Sequence, residues 1–383
     1  MDMKTFDILV IGAGMAGATV AAHLSADHKV ALIEAEEAAG YHSTGRSAAI
    51  WILNYGPKEV QALTGASRGF FEQPPVNFTD APLMSRRPIL FLAPEVSLPD
   101  MENLLTNGSG VVEISLAEAR RQVPALREGY AVRAAMETDS FDMDVAALHQ
   151  GFLSQLKARG GVVALRSRTG RISREGDAWT VEVTGGVTFR AKILVDAAGA
   201  WGDEVAAQAG VRPIGLVPKR RTGVIVDAAP WQPEHWPMVH DVSHTWYTRT
   251  EARTKLMVSP ADETDMTPHD VQPDEFDVAV AIDRMQQAID IDVRRIEHSW
   301  AGLRTFTPDR NLAFGWDADA PGFFWVVGQG GYGIQTAPAA GRLVADMISG
   351  RDPGEISRIL PAIDPKRFSR LPATDALLAA HPG

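Results

Sequence analysis

Gly12-Ala13-Gly14-Met15-Ala16-Gly17 lies between a short apolar run, Ile8-Leu9-Val10-Ile11, and an alanine-rich stretch from Met15 to Leu24. No other segment restricts the fold as strongly. A strand that turns directly into a helix needs glycine for the tight turn, glycine where a pyrophosphate nears the backbone, and glycine where helix and strand pack closely. The helix N-terminus then presents free N–H groups and partial positive charge to the phosphates. Val20 and Leu24 share one helical face, and Lys29 to Ile33 is a second apolar strand ending on Glu34, 22 residues after Gly12. An acid there can accept hydrogen bonds from a ribose diol and disfavours a 2′-phosphate, so NADP is not expected. The pattern predicts a βαβ unit with a parallel sheet. Taken alone, it leaves NAD and FAD both open.

Two further segments separate them. Gly40-Tyr41-His42-Ser43-Thr44-Gly45-Arg46-Ser47-Ala48-Ala49 is rich in small residues and hydroxyls. Such a loop can follow a second phosphate and a ribityl chain, with Ser43, Thr44, Arg46 and Ser47 as donors. Gly328-Gln329-Gly330-Gly331-Tyr332-Gly333-Ile334-Gln335-Thr336 is a second glycine-rich turn between strand and helix. A helix N-terminus there can stabilise negative charge on a reduced flavin. A plain NAD dehydrogenase needs neither segment, so FAD is expected, bound non-covalently; the absence of cysteine excludes a thioether link.

The rest of the chain alternates in texture. Proline-rich sequence with short strand-like runs fills Pro82 to Met136, and Asp144 to Arg159 reads as a helix stopped by Gly160-Gly161. Val162 to Leu165, Arg171 to Ser173, Trp179 to Val183 and Val187 to Phe189 read as a β-meander, followed by a separate buried strand, Ile193 to Val195. Helices are expected at about Phe276 to Ile289 and Ala337 to Ile348. The predicted class is α/β (α+β): a Rossmann nucleotide domain from 1–84, 137–212 and 308–383, with a mixed-sheet substrate domain inserted as 85–136 and 213–307.

Charge and composition narrow the partners. The 48 acidic and 37 basic residues leave a net charge of −11, which opposes nonspecific binding to nucleic acid or anionic membrane. Disulfides, thiolate metal sites and cysteine nucleophiles are excluded, and no metal site is expected. No signal peptide or spanning segment is legible, so a cytoplasmic protein is expected.

The Gly40 to Ala49 run, Asp196-Ala197-Ala198-Gly199-Ala200-Trp201, Pro218-Lys219-Arg220-Arg221, Trp300-Ala301-Gly302-Leu303-Arg304 and Gly328 to Thr336 occur in register along the whole chain. In these the chain resembles the D-amino-acid oxidase-like superfamily of FAD-dependent amine oxidoreductases, and within it the bacterial D-arginine dehydrogenases. The resemblance implies a glutathione-reductase-type FAD domain and a substrate sheet roofing the flavin. It implies cofactor contacts from Gly12, Gly14, Ala16, Gly17, Glu34 and Ala35, and from Ser43 through Ala49 (Gly45, Ala48 and Ala49 included). Thr169, Ala198, Gly199, Trp201 and the run Gly330, Gly331, Tyr332, Gly333 and Ile334 complete that set.

For the substrate, the resemblance assigns Arg221 and Arg304 to a carboxylate, which planar guanidinium groups bind bidentately. Tyr55 and Tyr247 match hydroxyls over the substrate and at the pocket entrance, Met238 matches a pocket wall, and the Gly331 carbonyl matches an acceptor for the amine. Gln335 is a further candidate for the pocket or flavin edge, and His240 for the pocket lining. His42 is read as a loop residue rather than a base. Two departures stand out: Ile89 occupies the place of an acid that pairs with a distal cation, and Ile50 that of a histidine. A buried cation without a counter-charge costs several kcal/mol. With Phe91 and Met238, these positions predict a preference for neutral, apolar D-amino acids over D-arginine. The expected reaction passes hydride from Cα to flavin N5, giving an imine that hydrolyses to a 2-oxo acid and ammonia, with oxygen or a quinone as final acceptor. The rivals are an oxidase or dehydrogenase for sarcosine-like amines or 2-hydroxy acids, a flavin electron carrier, and an NAD dehydrogenase.

Overall fold

A computed structural model describes residues 2–369, so the stretch 370–383 of the expected nucleotide domain lies outside the described residues. The chain opens with β1 (Asp2–Ile11), α1 (Met15–Leu24) and β2 (Val30–Ile33). Then come β3 (Ile50–Trp51), α2 (Lys58–Glu72), β4 (Met84–Arg86), β5 (Ile89–Ala93), α3 (Leu98–Asn107), β6 (Val111–Ile114), α4 (Leu116–Gln122), β7 (Arg133–Glu137) and β8 (Phe141–Met143). The middle holds α5 (Val145–Ala158), β9 (Val162–Ala164), β10 (Thr169–Glu175), β11 (Ala178–Val183), β12 (Val187–Asp196) and α6 (Gly202–Gln208). The remainder is β13 (Val217–Asp227), β14 (Met238–Asp241), β15 (Tyr247–Ala252), β16 (Lys255–Ser259), α7 (Glu275–Ala288), β17 (Ile296–Phe306), β18 (Ala313–Trp316), β19 (Phe323–Val327) and α8 (Gly333–Ser349).

Two large sheets organise these elements. The first runs β10-β11-β12-β1-β2-β9, with β19 also paired to β12 and β18 to β19. At its centre β1 lies parallel to both β2 and β12. Ile8 to Ile11 are buried there, which is why β1 reads as a continuous apolar run rather than an alternating one. Helices α1, α5 and α8 pack together on one face, over a core that includes Val10, Leu32, Phe152 and Val344. The second sheet runs β17-β13-β16-β15-β14-β5-β7-β6, antiparallel except where β14 meets β5. A small sheet, β3-β8-β4, stands apart from both.

The structure departs from the expected elements in several places. The meander is only β10-β11-β12, since Val162–Ala164 leaves it to pair parallel with β2. The two expected strands at Val187–Phe189 and Ile193–Val195 are one, β12, whose polar middle is tolerated because β1 accompanies it along its whole length. Helix α2 carries no expectation at all; its buried face mixes Val60, Leu63 and Phe71 with Thr64 and Ser67, which dilutes the apolar period. Helix α8 begins four residues before Ala337 because the Tyr332 carbonyl accepts both the N–H and the hydroxyl of Thr336, holding a first turn ahead of Pro338.

Candidate active site

The cofactor end is built where β1 passes into α1. A side chain on Gly17 would put its Cβ 1.8 Å from the Gly12 carbonyl oxygen, so helix and turn meet there only through glycine. Around the turn, the Glu34 carboxylate accepts the Ala13 N–H at 2.8 Å and the Glu36 N–H at 3.0 Å. Thr44 Oγ1 accepts the Met15 N–H at 2.9 Å, joining the loop after β2 to the helix N-terminus. Thr169 donates to Gln208 at 2.8 Å, and His42 pairs with Glu36 at 3.3 Å while its ring lies 4.5 Å from Trp201. At the end of β12, Asp196 is fully buried, and that burial pushes its carboxyl well above the ordinary range while Oδ1 accepts the Ala198 N–H.

The other end is made by β13 and β17, paired antiparallel from Val217↔Phe306 to beyond Thr222↔Ala301. Arg221 stands opposite Gly302 and Lys219 opposite Arg304, so by strand alternation Arg221 and Arg304 project from the same face, one diagonal step apart. Arg220 points to the opposite face, where it pairs with Asp277 at 2.7 Å. Arg221 donates to the Asp262 carbonyl at 2.9 Å and approaches Glu263 at 3.3 Å. Arg304 is different: it has no carboxylate within ion-pair distance among the described residues, and donates only to the Tyr55 hydroxyl at 3.2 Å. Tyr247 faces both arginines; burial alone would raise its phenol, but the Arg304 and Arg221 charges bring it below its ordinary value. Tyr332, packed 5.0 Å from Tyr55, is pushed up to about 12 by burial and by Tyr55. At Gly331 a Cβ would fall 2.8 Å from the Tyr55 hydroxyl and 3.0 Å from Arg304, so the backbone itself abuts the guanidinium.

One cavity of about 1760 Å³, its open mouth included, joins the two ends. Its wall contains Gly12, Gly14, Ala16, Glu34, Ala35, Ser43, Thr44, Arg46, Ser47, Ala48, Thr169, Ala198, Gly199 and Trp201, then Arg221, Tyr247, Arg304, Gly330, Gly331, Gly333 and Ile334. Gly17, Gly45, Ala49, Tyr55 and Tyr332 lie behind that wall. The expected substrate residues separate from it further. Ile50, Ile89 and Met238 close into an apolar cluster with Phe91, Tyr247 and Met257, of which only Tyr247 and Met257 reach the cavity. His240 stacks on the far side of Tyr247 at 5.5 Å and donates from Nδ1 to the Asp241 carbonyl at 2.7 Å; burial holds it down at about 3. Gln335 is a clamp rather than a pocket residue, since its amide is engaged by Ile52 and by Thr64 Oγ1 at 2.8 Å. Arg46 lines the cavity, but its guanidinium is committed to Asp270 and to the Val271 and Ala301 carbonyls.

Sequence reasoning passed over the segment 260–272, which returns from β16 across β13. Asp262 accepts the N–H and hydroxyl of Thr222, Asp265 pairs with Lys219, Glu263 bridges Arg221 and Arg310, and Asp270 pairs with Arg46. No local pattern in the sequence ties these acids to the basic run Lys219 to Arg221, some forty positions earlier.

The family model described as FAD dependent oxidoreductase, DAO, matches residues 7–347. The chain belongs to the DAO family. Among curated proteins the DAO chain is similar to FAD-dependent oxidoreductase domain-containing protein 1 of Bos taurus, 29% identical over 171 residues, covering 41% of this chain and 35% of that protein. The chain therefore spans about a third of that relative's length. Among solved structures it is similar to glycine oxidase from Geobacillus kaustophilus, with TM-score 0.79 and 20% identity over 91% of this chain and 95% of that one. L-Proline dehydrogenase from P. horikoshii gives TM-score 0.80 and 21% identity over 97% and 99%. Both show the shared fold. The DAO cofactor is FAD, and the cavity suits it: a helix N-terminus whose Gly14 cap makes no side-chain hydrogen bond, an acid at the end of β2, and a continuous wall from there to the guanidiniums. Among the described residues no helix is long and apolar enough to cross a membrane.

Proposed function

We propose that this protein oxidatively deaminates free D-amino acids with neutral, apolar side chains. One observation carries the reading: Arg304 faces the cavity without a carboxylate partner among the described residues, beside Arg221 on the same sheet face. A guanidinium so placed is a receptor for an anion that the protein does not supply. Arg304 and Arg221 bind the substrate carboxylate, the Tyr55 hydroxyl holds the Arg304 fork from behind, and Tyr247 adds a hydroxyl at the same end. The Gly331 carbonyl accepts from the amine, which must be neutral for its lone pair to assist loss of the α-hydrogen. Loss of that hydrogen with its electron pair leaves an imine, which water hydrolyses to a 2-oxo acid and ammonia. FAD, when bound, supplies the two-electron acceptor, and oxygen or a quinone restores it. The protein's part is orientation and electrostatics.

The apolar preference rests on Met257 at the cavity wall, with Ile50, Ile89, Phe91 and Met238 behind it; the buried acid opposite Ile89, Glu137, lines no part of the cavity. The D configuration rests on the likeness to D-arginine dehydrogenases. The test is the visible spectrum of the purified holoprotein under argon, titrated with matched D- and L-amino acids, sarcosine and 2-hydroxy acids. Bleaching by D-leucine, D-methionine or D-phenylalanine ahead of D-arginine and of the L-enantiomers is the expected result. Bleaching by none of them, or by D-arginine first, removes the proposal.

A further inference from the structure

Ala13 lies at the tightest point of the cofactor turn, and its peptide is held from two sides. Its N–H goes to Glu34 at 2.8 Å, and its carbonyl oxygen lies 2.9 Å from Nε2 of His149, a residue 136 positions away on α5. A carbonyl only accepts, so Nε2 carries the hydrogen and donates. His149 is 4% exposed, and burial keeps its ring below the ordinary histidine value, so the donor is the neutral ring. On its other side the ring faces Gly40, where a Cβ would come within 2.9 Å of it. The imidazole thus sits between the glycine turn and the loop beginning at Gly40, the two segments that wall the nucleotide end.

In a trans peptide the C=O and the following N–H point in opposite directions. Pinning the Ala13 carbonyl toward α5 therefore turns the Gly14 N–H the other way. Gly14 lies in the cavity wall, and its N–H has no protein acceptor among the described residues. We infer that His149 is a positioning residue for FAD, locking the Ala13–Gly14 peptide so that the Gly14 N–H is aimed at the cofactor pyrophosphate. Without it the peptide can rotate toward other orientations, and an anion donor is lost from a site that depends on backbone donors.

The test uses holoprotein and no substrate, so it stands or falls apart from the proposed activity. FAD affinity is read from flavin fluorescence on serial dilution, and the bound pyrophosphate from its ³¹P resonances. His149→Phe and His149→Asn remove or misplace the donor; His149→Gln can put an amide N–H near the Nε2 position. The expected result is a dissociation constant raised roughly tenfold in the Phe and Asn variants with shifted ³¹P resonances, and both restored to near wild type in Gln. Should the Phe variant not fold, Asn against Gln gives the same comparison. Affinity within twofold of wild type in Asn or Phe, or an equal loss in Gln, overturns the inference, because packing alone would then account for the residue.

Discussion

Arg304 owes its importance to what it lacks. An ion pair would have neutralised it; instead a tyrosine hydroxyl and the Gly331 backbone hold it ready. Arg304→Lys keeps the charge but loses the planar fork, so kcat/KM should fall about a hundredfold or more, chiefly through KM, with flavin content unchanged. Arg221→Ala should also raise KM sharply; wild-type kinetics would remove it from the carboxylate site. Gly331→Ala places a methyl group against Tyr55 and Arg304 and should cost activity without loss of FAD, as an absorbance ratio will show. Glu137 offers a separate, pH-dependent check. It is buried beside Ile89 with Oε2 unpartnered, and burial raises its carboxyl from 4.5 to about 7. The folded state thus binds this proton more tightly than the unfolded one, so its contribution favours folding below about 4.5 and declines as pH rises through about 7. The lost stability is on the order of 3 kcal/mol. Glu137→Gln should melt higher than wild type at pH 8 and nearly level with it at pH 5.

At the scale of elements, the turn from β1 into α1 was legible because three glycines and a terminal acid leave few alternatives. The register of β13 against β17 was not, although it decides the site. Two arginines 83 positions apart share a face only because Arg221 pairs with Gly302, and no local pattern encodes a pairing partner. Where the apolar residues Ile50, Ile89 and Met238 lie relative to the cavity was illegible for a related reason. Period-two patterning says that a side chain is covered but not whether a ligand or a neighbouring strand covers it. Arg46 differs again: it lines the cavity from its loop, yet its guanidinium also holds the segment 260–272. That segment predicts its own result. Asp262→Ala removes two hydrogen bonds to Thr222 and loosens the backbone that orients Arg221. KM should rise several-fold with kcat and flavin content little changed, and an unaltered KM would show that Arg221 needs no such support.

For the whole molecule, the cavity wall draws on strands of both large sheets, which places the proposed cofactor site where they meet. A ligand that binds only the folded chain stabilises it by mass action, about 2.7 kcal/mol at a hundredfold excess over Kd. Stripping FAD should lower the melting temperature by several degrees, and readdition should restore it; equal melting curves would mean the cavity is formed without regard to its contents. Strand β12 carries a different consequence. It pairs with β1 from the first residues of the chain and with β19 beyond residue 320. During synthesis, then, β1 gains β2 early but waits for nearly two hundred residues before its second neighbour, β12, emerges, and the sheet closes only after a further hundred or more. Such delayed, non-local pairing is slow and leaves unpaired edges exposed on the ribosome, so assistance from chaperones during translation should govern the yield of this protein more than its final stability does.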